Sequence, residues 1–328
     1  MIRTMLYSRA GKLITDTPLD QISEIIRDPE NLLWVDFQGE PPGICEPILL
    51  NTFGFHPLAV DDALQETHSP KVDDWDDYLY IVLQPVVFEN EGEVHIDTPE
   101  LDAFLGQRYL VTHHDQVIPA LDRVWGTAQR DERALKLGAD HMLYRIADEL
   151  AVDYMNVVDD LADEIETIED LIFAGSSPKI LPRASAIKRA MLRMRRSLSP
   201  QREVLNKLAR DDYRVIDAKD RVYFRDVYDH LVRLYDITES LRDLLSGTLD
   251  IYLSVINNRM NDIMKTLTVI TTLFMPLSFI ASFFGQNFFQ PVAQLHAWTA
   301  MPSFLVTLGI MLLIPLTMYL WMRRRGWM

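Results

Sequence analysis

Residues Leu267 to Asn287 read LTVITTLFMPLSFIASFFGQN, an uncharged apolar run that closes on Gly-Gln-Asn. At about 1.5 Å per helical residue, the uncharged stretch from Thr266 to Phe284 reaches across the hydrocarbon core of a bilayer, about 30 Å thick. It predicts a transmembrane helix. A second uncharged run, Met301 to Met322, is long enough to cross back, with only Gly285 to Ala300 between the two. Lys and Arg bias flanking segments toward the cytoplasm. Arg259 and Lys265 precede the first span, Arg323 to Arg325 follow the second, and the connecting loop has neither residue type. The expectation is a membrane hairpin with both termini cytoplasmic and the loop outside, as for a multi-pass protein of a bacterial inner membrane.

The chain has 328 residues, and the 265 ahead of Thr266 leave room for a soluble part with a real core. The opening MIRTMLYSRAGKLITD has no apolar run of the kind a secretory signal needs. Cys45 is the single cysteine, which excludes an intrachain disulfide and a Cys-built metal site. A net charge of -16 disfavours nucleic acid as a partner and favours cations. There is no P-loop, GxSxG or HExxH motif, and the one local His pair, His113-His114, reads as structural, so no enzyme is expected.

Up to about His114 the pattern is mixed. Leu32 to Phe37, Tyr78 to Phe88, Val94 to Ile96, Leu101 to Leu105 and Tyr109 to His113 read as strands, rich in branched and aromatic residues. His56 to Leu64 reads as a short helix. This predicts an α/β domain over residues 1–138. Beyond it the period becomes helical, with one helix over Ala139 to Ala174 carrying many acids and a second from about Pro182 to Arg210 carrying many bases. These form an antiparallel hairpin in which the two charge sets either pair or simply face solvent. The helical region over 139–265 is expected to lead into a two-helix membrane domain over 266–328.

From about Asp217 to Phe284 there is one Gly and one Pro, which predicts a nearly continuous helix. Asp229, Asp236, Asp243, Asp250, Asn257, Met264, Thr271 and Ser278 recur every seven residues along it. Asn261, Thr268, Met275 and Ser282 fill the same stripe. Because polar groups facing lipid are unfavourable, several copies with this stripe turned inward would line a water-filled path. The other reading is that the Ser and Thr side chains pack closely or bond back to their own backbone.

The stretch Asn258 to Asn287 resembles the first membrane helix and GxN signature of the CorA metal-ion transporter family, which includes ZntB zinc transporters. FHPLAVDDAL at Phe55, SPKVDDWDDYLYIVL at Ser69 and YFRDVYDHL at Tyr223 extend the resemblance over essentially the whole chain. The resemblance implies an α+β protein: a homopentameric funnel with an N-terminal α/β/α cytoplasmic domain, a long helical stalk and two transmembrane helices. It implies a mouth formed by Gly285, Gln286 and Asn287, with the Asn287 amides receiving a hydrated cation. Asn261, Met264, Leu267 and Met275 match pore positions, Thr268, Thr271 and Ser278 share their stripe, and Asp250 matches an acidic ring near the cytoplasmic end. Asp77 and Asp226 match a pair that binds a regulatory divalent ion between neighbouring subunits.

Two departures bear on the ion. Gln286 and Phe284 stand where magnesium transporters typically have Met and Tyr, and the loop from Gly285 to Ala300 has no Asp or Glu. The resemblance thus implies a divalent-cation transporter or channel, with Mg2+, Co2+ and Ni2+ as the default cargo. A ZntB-type Zn2+ transporter and a CorA-like scaffold or sensor, for example of the CmaX type, are the alternatives. His296 is the one loop residue that could serve as a zinc ligand.

Overall fold

The computed structural model describes residues 1–28, 30–65, 69–89, 94–131, 133–175, 178–285 and 301–326. It divides into two compact units, Met1–Leu249 and Asp250–Met328, each described by itself.

The first unit is built on a seven-stranded sheet. Its strands are β1 (Ile2–Tyr7), β2 (Leu13–Thr15), β3 (Leu32–Gln38), β4 (Lys71–Asp74), β5 (Tyr78–Leu83), β8 (Leu101–Gly106) and β9 (Tyr109–His114), in the order β2-β1-β3-β9-β8-β5-β4. Only the central pair β3–β9 is parallel. β5 and β8 are buried along their full lengths, and six of the seven residues of β3 are buried, as strands covered on both faces must be. The charged strand β4, KVDD, ends the sheet and blunts its edge. A small hairpin, β6 (Val87–Glu89) and β7 (His95–Asp97), stands apart from it.

One face of the sheet packs on α1 (Ile22–Ile25), α2 (Pro42–Pro47) and α3 (Pro57–Gln65), through Val35, Tyr80, Phe104 and Val111 against Ile22, Cys45 and Val60. The other face packs on α4 (Pro119–Arg130), α5 (Arg133–Leu137) and α6 (Ala139–Phe173), where the rings of Trp34 and Trp125 lie 4.7 Å apart. The layers are α/β/α. Gly106 closes the β8–β9 hairpin because a Cβ there would stand 2.4 Å from the Tyr109 ring.

The expected strand over Tyr78 to Phe88 is broken after Leu83. Pro85 has no N–H for the ladder, and the Gln84 N–H goes instead to Gln201 Oε1 at 2.7 Å on α7 (Ile180–Arg210). Helices α6 and α7 form the expected antiparallel hairpin, with Tyr154 bonded to Ser197 and Arg183 to Glu164. Arg183–Glu164, at 2.6 Å, is the one ion pair between them among the described residues, and the other charges of both helices are mostly exposed. The solvated-face reading describes most of these residues.

The last two helices are α8 (Arg221–Gly285), 65 residues long, and α9 (Met301–Arg324). Each contains a segment long and apolar enough to cross a membrane. In the second unit Phe274, Met275, Phe279, Leu312 and Leu313 are exposed. An aqueous surface would not hold so much apolar side chain uncovered. Pro276 and Pro315 lie inside these helices, as membrane helices tolerate.

Candidate pore and metal sites

Within the first unit, Phe224, Val227, Leu231, Leu234, Thr238, Leu241, Leu245 and Thr248 are buried on α8, at alternating spacings of three and four. Such a seam holds one side of a helix continuously against its neighbours. Thr248 Oγ1 donates to Glu169 Oε1 on α6 at 2.7 Å, and the Tyr235 ring lies 5.0 Å beneath Arg202 of α7. Two residues beyond Val227, and again after Leu234 and Leu241, come Asp229, Asp236 and Asp243, all exposed on the opposite side of the helix. Among the described residues the acidic repeat is therefore left exposed, with Asp243 paired only to its neighbour Arg242 at 3.2 Å.

In the second unit the stripe continues through Asp250, Asn261, Met264, Leu267, Thr268, Thr271, Met275 and Ser278, each exposed in the single chain. Thr268 donates to the Met264 carbonyl at 2.7 Å and Thr271 to the Leu267 carbonyl at 2.9 Å. Back-bonding is thus present at both positions, and each hydroxyl oxygen keeps lone pairs free to accept. Gly285 ends α8. Gln286, Asn287 and His296 lie outside the described residues.

Asp77 is exposed in the turn between β4 and β5, after Asp76 at φ +64°, with its N–H held by the Trp75 carbonyl at 2.7 Å. Asp226 is exposed on the second turn of α8. No hydrogen bond or ion pair joins the two within the chain. Sequence reasoning missed Asp148 on α6, which shares Asp226's surroundings. Burial first, and then the charges of Glu149 and Asp226, push its carboxyl above the ordinary carboxylate range, against the opposing pull of Arg145 and His230. Only three-dimensional placement shows this grouping.

A second acidic group was also invisible in the sequence. Asp140, Asp217 and Asp220 each offer a carboxylate oxygen, all within 4.8 Å of one another. Their acceptors have structural work: Asp140 receives the N–H groups of His141 and Asp217, Asp217 pairs with Lys219 at 2.7 Å, and Asp220 faces His141 Nδ1 at 3.2 Å. Burial and the neighbouring acids raise the Asp140 pKa. The cluster fastens the start of α6 to the loop that enters α8.

The family model for CorA-like Mg2+ transporter proteins matches residues 29–324, which takes in five of the seven strands of the sheet, both long hairpin helices and both apolar spans. This chain belongs to the CorA-like family. YfjQ of Bacillus subtilis is 32% identical to this CorA-like chain over 329 residues, covering 100% of it and 98% of the relative. The cobalt/magnesium transport protein CorA of Thermotoga maritima is 31% identical over 304 residues, covering 92% and 85%. In fold, the complete CorA magnesium transporter of Methanocaldococcus jannaschii superposes with a TM-score of 0.82 at 24% identity, over 100% of this chain and 99% of that one. CorA-like proteins are divalent-cation transporters of membranes, and the two apolar helices here suit that setting.

Proposed function

We propose that this chain is one protomer of a homopentameric divalent-cation channel, with the stripe on α8 lining the path and Asn287 at its outer mouth. The observation that carries the reading is the acidic and polar stripe left uncovered opposite the buried seam of α8. In a lone protomer the part within the bilayer would face lipid; around a shared axis it faces water and ions. Asp250 sits where an acidic ring would draw cations out, Met264, Leu267 and Met275 would gate by dewetting, and Asn261, Thr268, Thr271 and Ser278 would supply oxygens between them.

The cargo we favour is Mg2+, with Co2+ and Ni2+. Amide oxygens at Asn287 can accept hydrogen bonds from an intact hydration shell, which suits an ion that dehydrates reluctantly. Asp77 of one subunit and Asp226 of the next, with Asp148 beside it, would hold a regulatory ion whose loss loosens the assembly. The basic flanks of both spans support cytoplasmic termini in an inner membrane, and the chain divides as 1–138, 139–265 and 266–328. A Zn2+ transporter is the second reading, favoured by Gln286 and by His296, while a loop without acids weakens the recruitment of any cation.

Uptake of Mg2+, Co2+, Ni2+ and Zn2+ by purified protein in liposomes tests this. Flux of the first three, abolished by Asn287→Ala, is the expected result. Flux of Zn2+ alone would select the second reading, and flux of none would overturn a conducting pore in favour of a scaffold or sensor.

A further inference from the structure

The turn that carries Asp77 has a shape its own residues do not favour. Strands β4 and β5 pair as far as Asp74 and Leu79, and the Trp75 N–H then closes a two-residue loop on the Tyr78 carbonyl at 3.0 Å. Inside that loop Asp76 has φ +64°, and the Asp77 N–H returns to the Trp75 carbonyl at 2.7 Å. A turn bonded over three residues with positive φ at its centre is the rare and strained kind. Asp74 relieves part of this, because its Oδ1 takes the Asp76 N–H at 3.0 Å. The charges work the other way: Asp74, Asp76 and Asp77 are all exposed and repel one another. Backbone strain persists where the surrounding structure imposes it.

The residue that imposes it is His56, at the entrance to α3. Its backbone N–H donates to the Tyr78 hydroxyl at 2.9 Å, and its ring lies 4.3 Å from the Trp75 ring with 20° between their planes. One residue thus grips both ends of the loop. The Leu58 N–H reaches His56 Nδ1 at 3.2 Å, so that nitrogen accepts, the ring proton sits on Nε2, and the imidazole is held in place as it stacks. Trp75 Nε1 is sealed from solvent and makes no hydrogen bond among the described residues, so packing rather than a polar bond orients the indole. Its ring partners are His56 and, at 6.3 Å, Tyr78, and it also rests on the core between the sheet and α3.

We propose that His56, acting through Trp75, is a positioning residue for the divalent ion at Asp77: the stack holds the strained loop in the shape that presents the Asp77 carboxylate. This rests on the reading of Asp77 as a ligand of the regulatory ion. A carboxylate already set in place gives up less freedom when the ion binds. Without the stack the ion should still bind, but more weakly.

Three variants of the purified full-length chain separate the stack from the helix cap. His56→Asn still offers an oxygen to the Leu58 N–H but cannot stack, His56→Phe stacks but cannot cap, and Trp75→Leu removes the other half of the stack. Each is titrated with Mg2+ and followed by thermal unfolding and by protection from protease, with Asp77→Ala as the reference. His56→Asn and Trp75→Leu should need about tenfold more Mg2+ for half the effect, the scale lost with residues that orient metal ligands, while His56→Phe stays close to the parent. Deuterium exchange over Trp75 to Tyr78, in chelator, should quicken in the first two and not in the third. His56 is exposed, so circular dichroism should show both of its variants folded. A histidine that served only as a cap would give the reverse order, with Phe the weak variant and Asn the sound one, and that order would overturn the proposal. So would a parent response that is lost in Asp77→Ala yet unchanged in His56→Asn. A Mg2+ response absent from the parent, or left intact by Asp77→Ala, overturns instead the reading of Asp77 as a ligand, and the positioning role falls with it.

Discussion

Asp148 of α6 is half-buried within reach of the Asp226 charge on α8: burial holds its carboxyl above the ordinary carboxylate range, Glu149 and Asp226 add to the rise, and Arg145 and His230 oppose it. A native state that holds a proton more tightly than the unfolded chain loses stability as pH rises through the interval between the ordinary and the raised pKa, and stays weaker above it. At neutral pH the Asp226 charge therefore adds to the cost of ionising half-buried Asp148, a cost that Arg145 at 3.7 Å offsets in part and a bound divalent cation would offset further. In chelator, Asp148→Asn should raise the melting temperature. Mg2+ should then stabilise the parent, by about 2.7 kcal/mol at a hundredfold excess over its dissociation constant. It should stabilise Asp148→Asn and Asp226→Asn much less. Equal Mg2+ shifts in all three, measured by thermal unfolding, would remove this pair from the regulatory site.

The two sides of α8 should respond differently to substitution. Leu234 is fully buried in the seam, so Leu234→Ala should cost about 2–5 kcal/mol of stability. Asp236, exposed on the far side, should tolerate Asn within about 0.5 kcal/mol. Flux should fall with Asp236→Asn at unchanged fold, because the lost charge lies on the proposed path. Denaturant unfolding and liposome uptake on the same preparations separate the two effects, and a large stability loss in Asp236→Asn would place that face in a packed interface.

Tyr154 ties three elements together. Its hydroxyl contacts Ser197 of α7 at 2.5 Å and donates to the Gln84 carbonyl at 2.9 Å, just where β5 ends. Tyr154→Phe keeps the ring and removes both contacts, leaving a buried serine hydroxyl unanswered, and should cost about 1–3 kcal/mol. A neutral result in chemical unfolding would mean that packing alone sets the angle of the α6–α7 hairpin against the sheet.

Much of this architecture was legible in residue order. The strands β3, β8 and β9, the helices α6 to α9 and the acidic repeat all carry strong periods. The edge strand β2 and its neighbour β1 were missed because LIT and IRTMLY are short and mix polar with apolar residues. Helix α4 was missed because it is short and carries Pro119 and Gly126, although Ala120, Leu121, Val124, Trp125 and Ala128 form one buried face. The buried seam from Phe224 to Thr248 was readable at spacings of three and four, yet the acidic heptad beside it is the louder signal. The groupings that carry chemistry were not readable: Asp148 with Asp226, Asp140 with Asp217 and Asp220, and His56 with Trp75 meet only through helix packing and strand register.

The pair His114 and Asp36 gives the first unit a defined pH response. His114 Nε2 lies 3.3 Å from Asp36 Oδ1 in the sheet interior, while Arg3 holds Asp36 Oδ2 at 2.7 Å and Thr112 holds Oδ1 at 2.5 Å. Burial alone would lower the His114 pKa, but the Asp36 carboxylate more than offsets it and the result is raised; burial alone would raise that of Asp36, but His114, Thr112 and Arg3 bring it down. For the histidine, the stability contributed is fully present below the unfolded value, about 6.5, and is lost as pH climbs through the raised native value. For the aspartate, it is present above about 3.9 and is lost as pH falls through the lowered native value. Thermal unfolding in chelator should show stability from this pair declining as pH rises from about 6.5 through the raised value. His114→Gln should flatten that decline and lower stability near pH 6 by about 3 kcal/mol, the scale of breaking a buried ion pair. A slope that survives in His114→Gln would have to come from other groups.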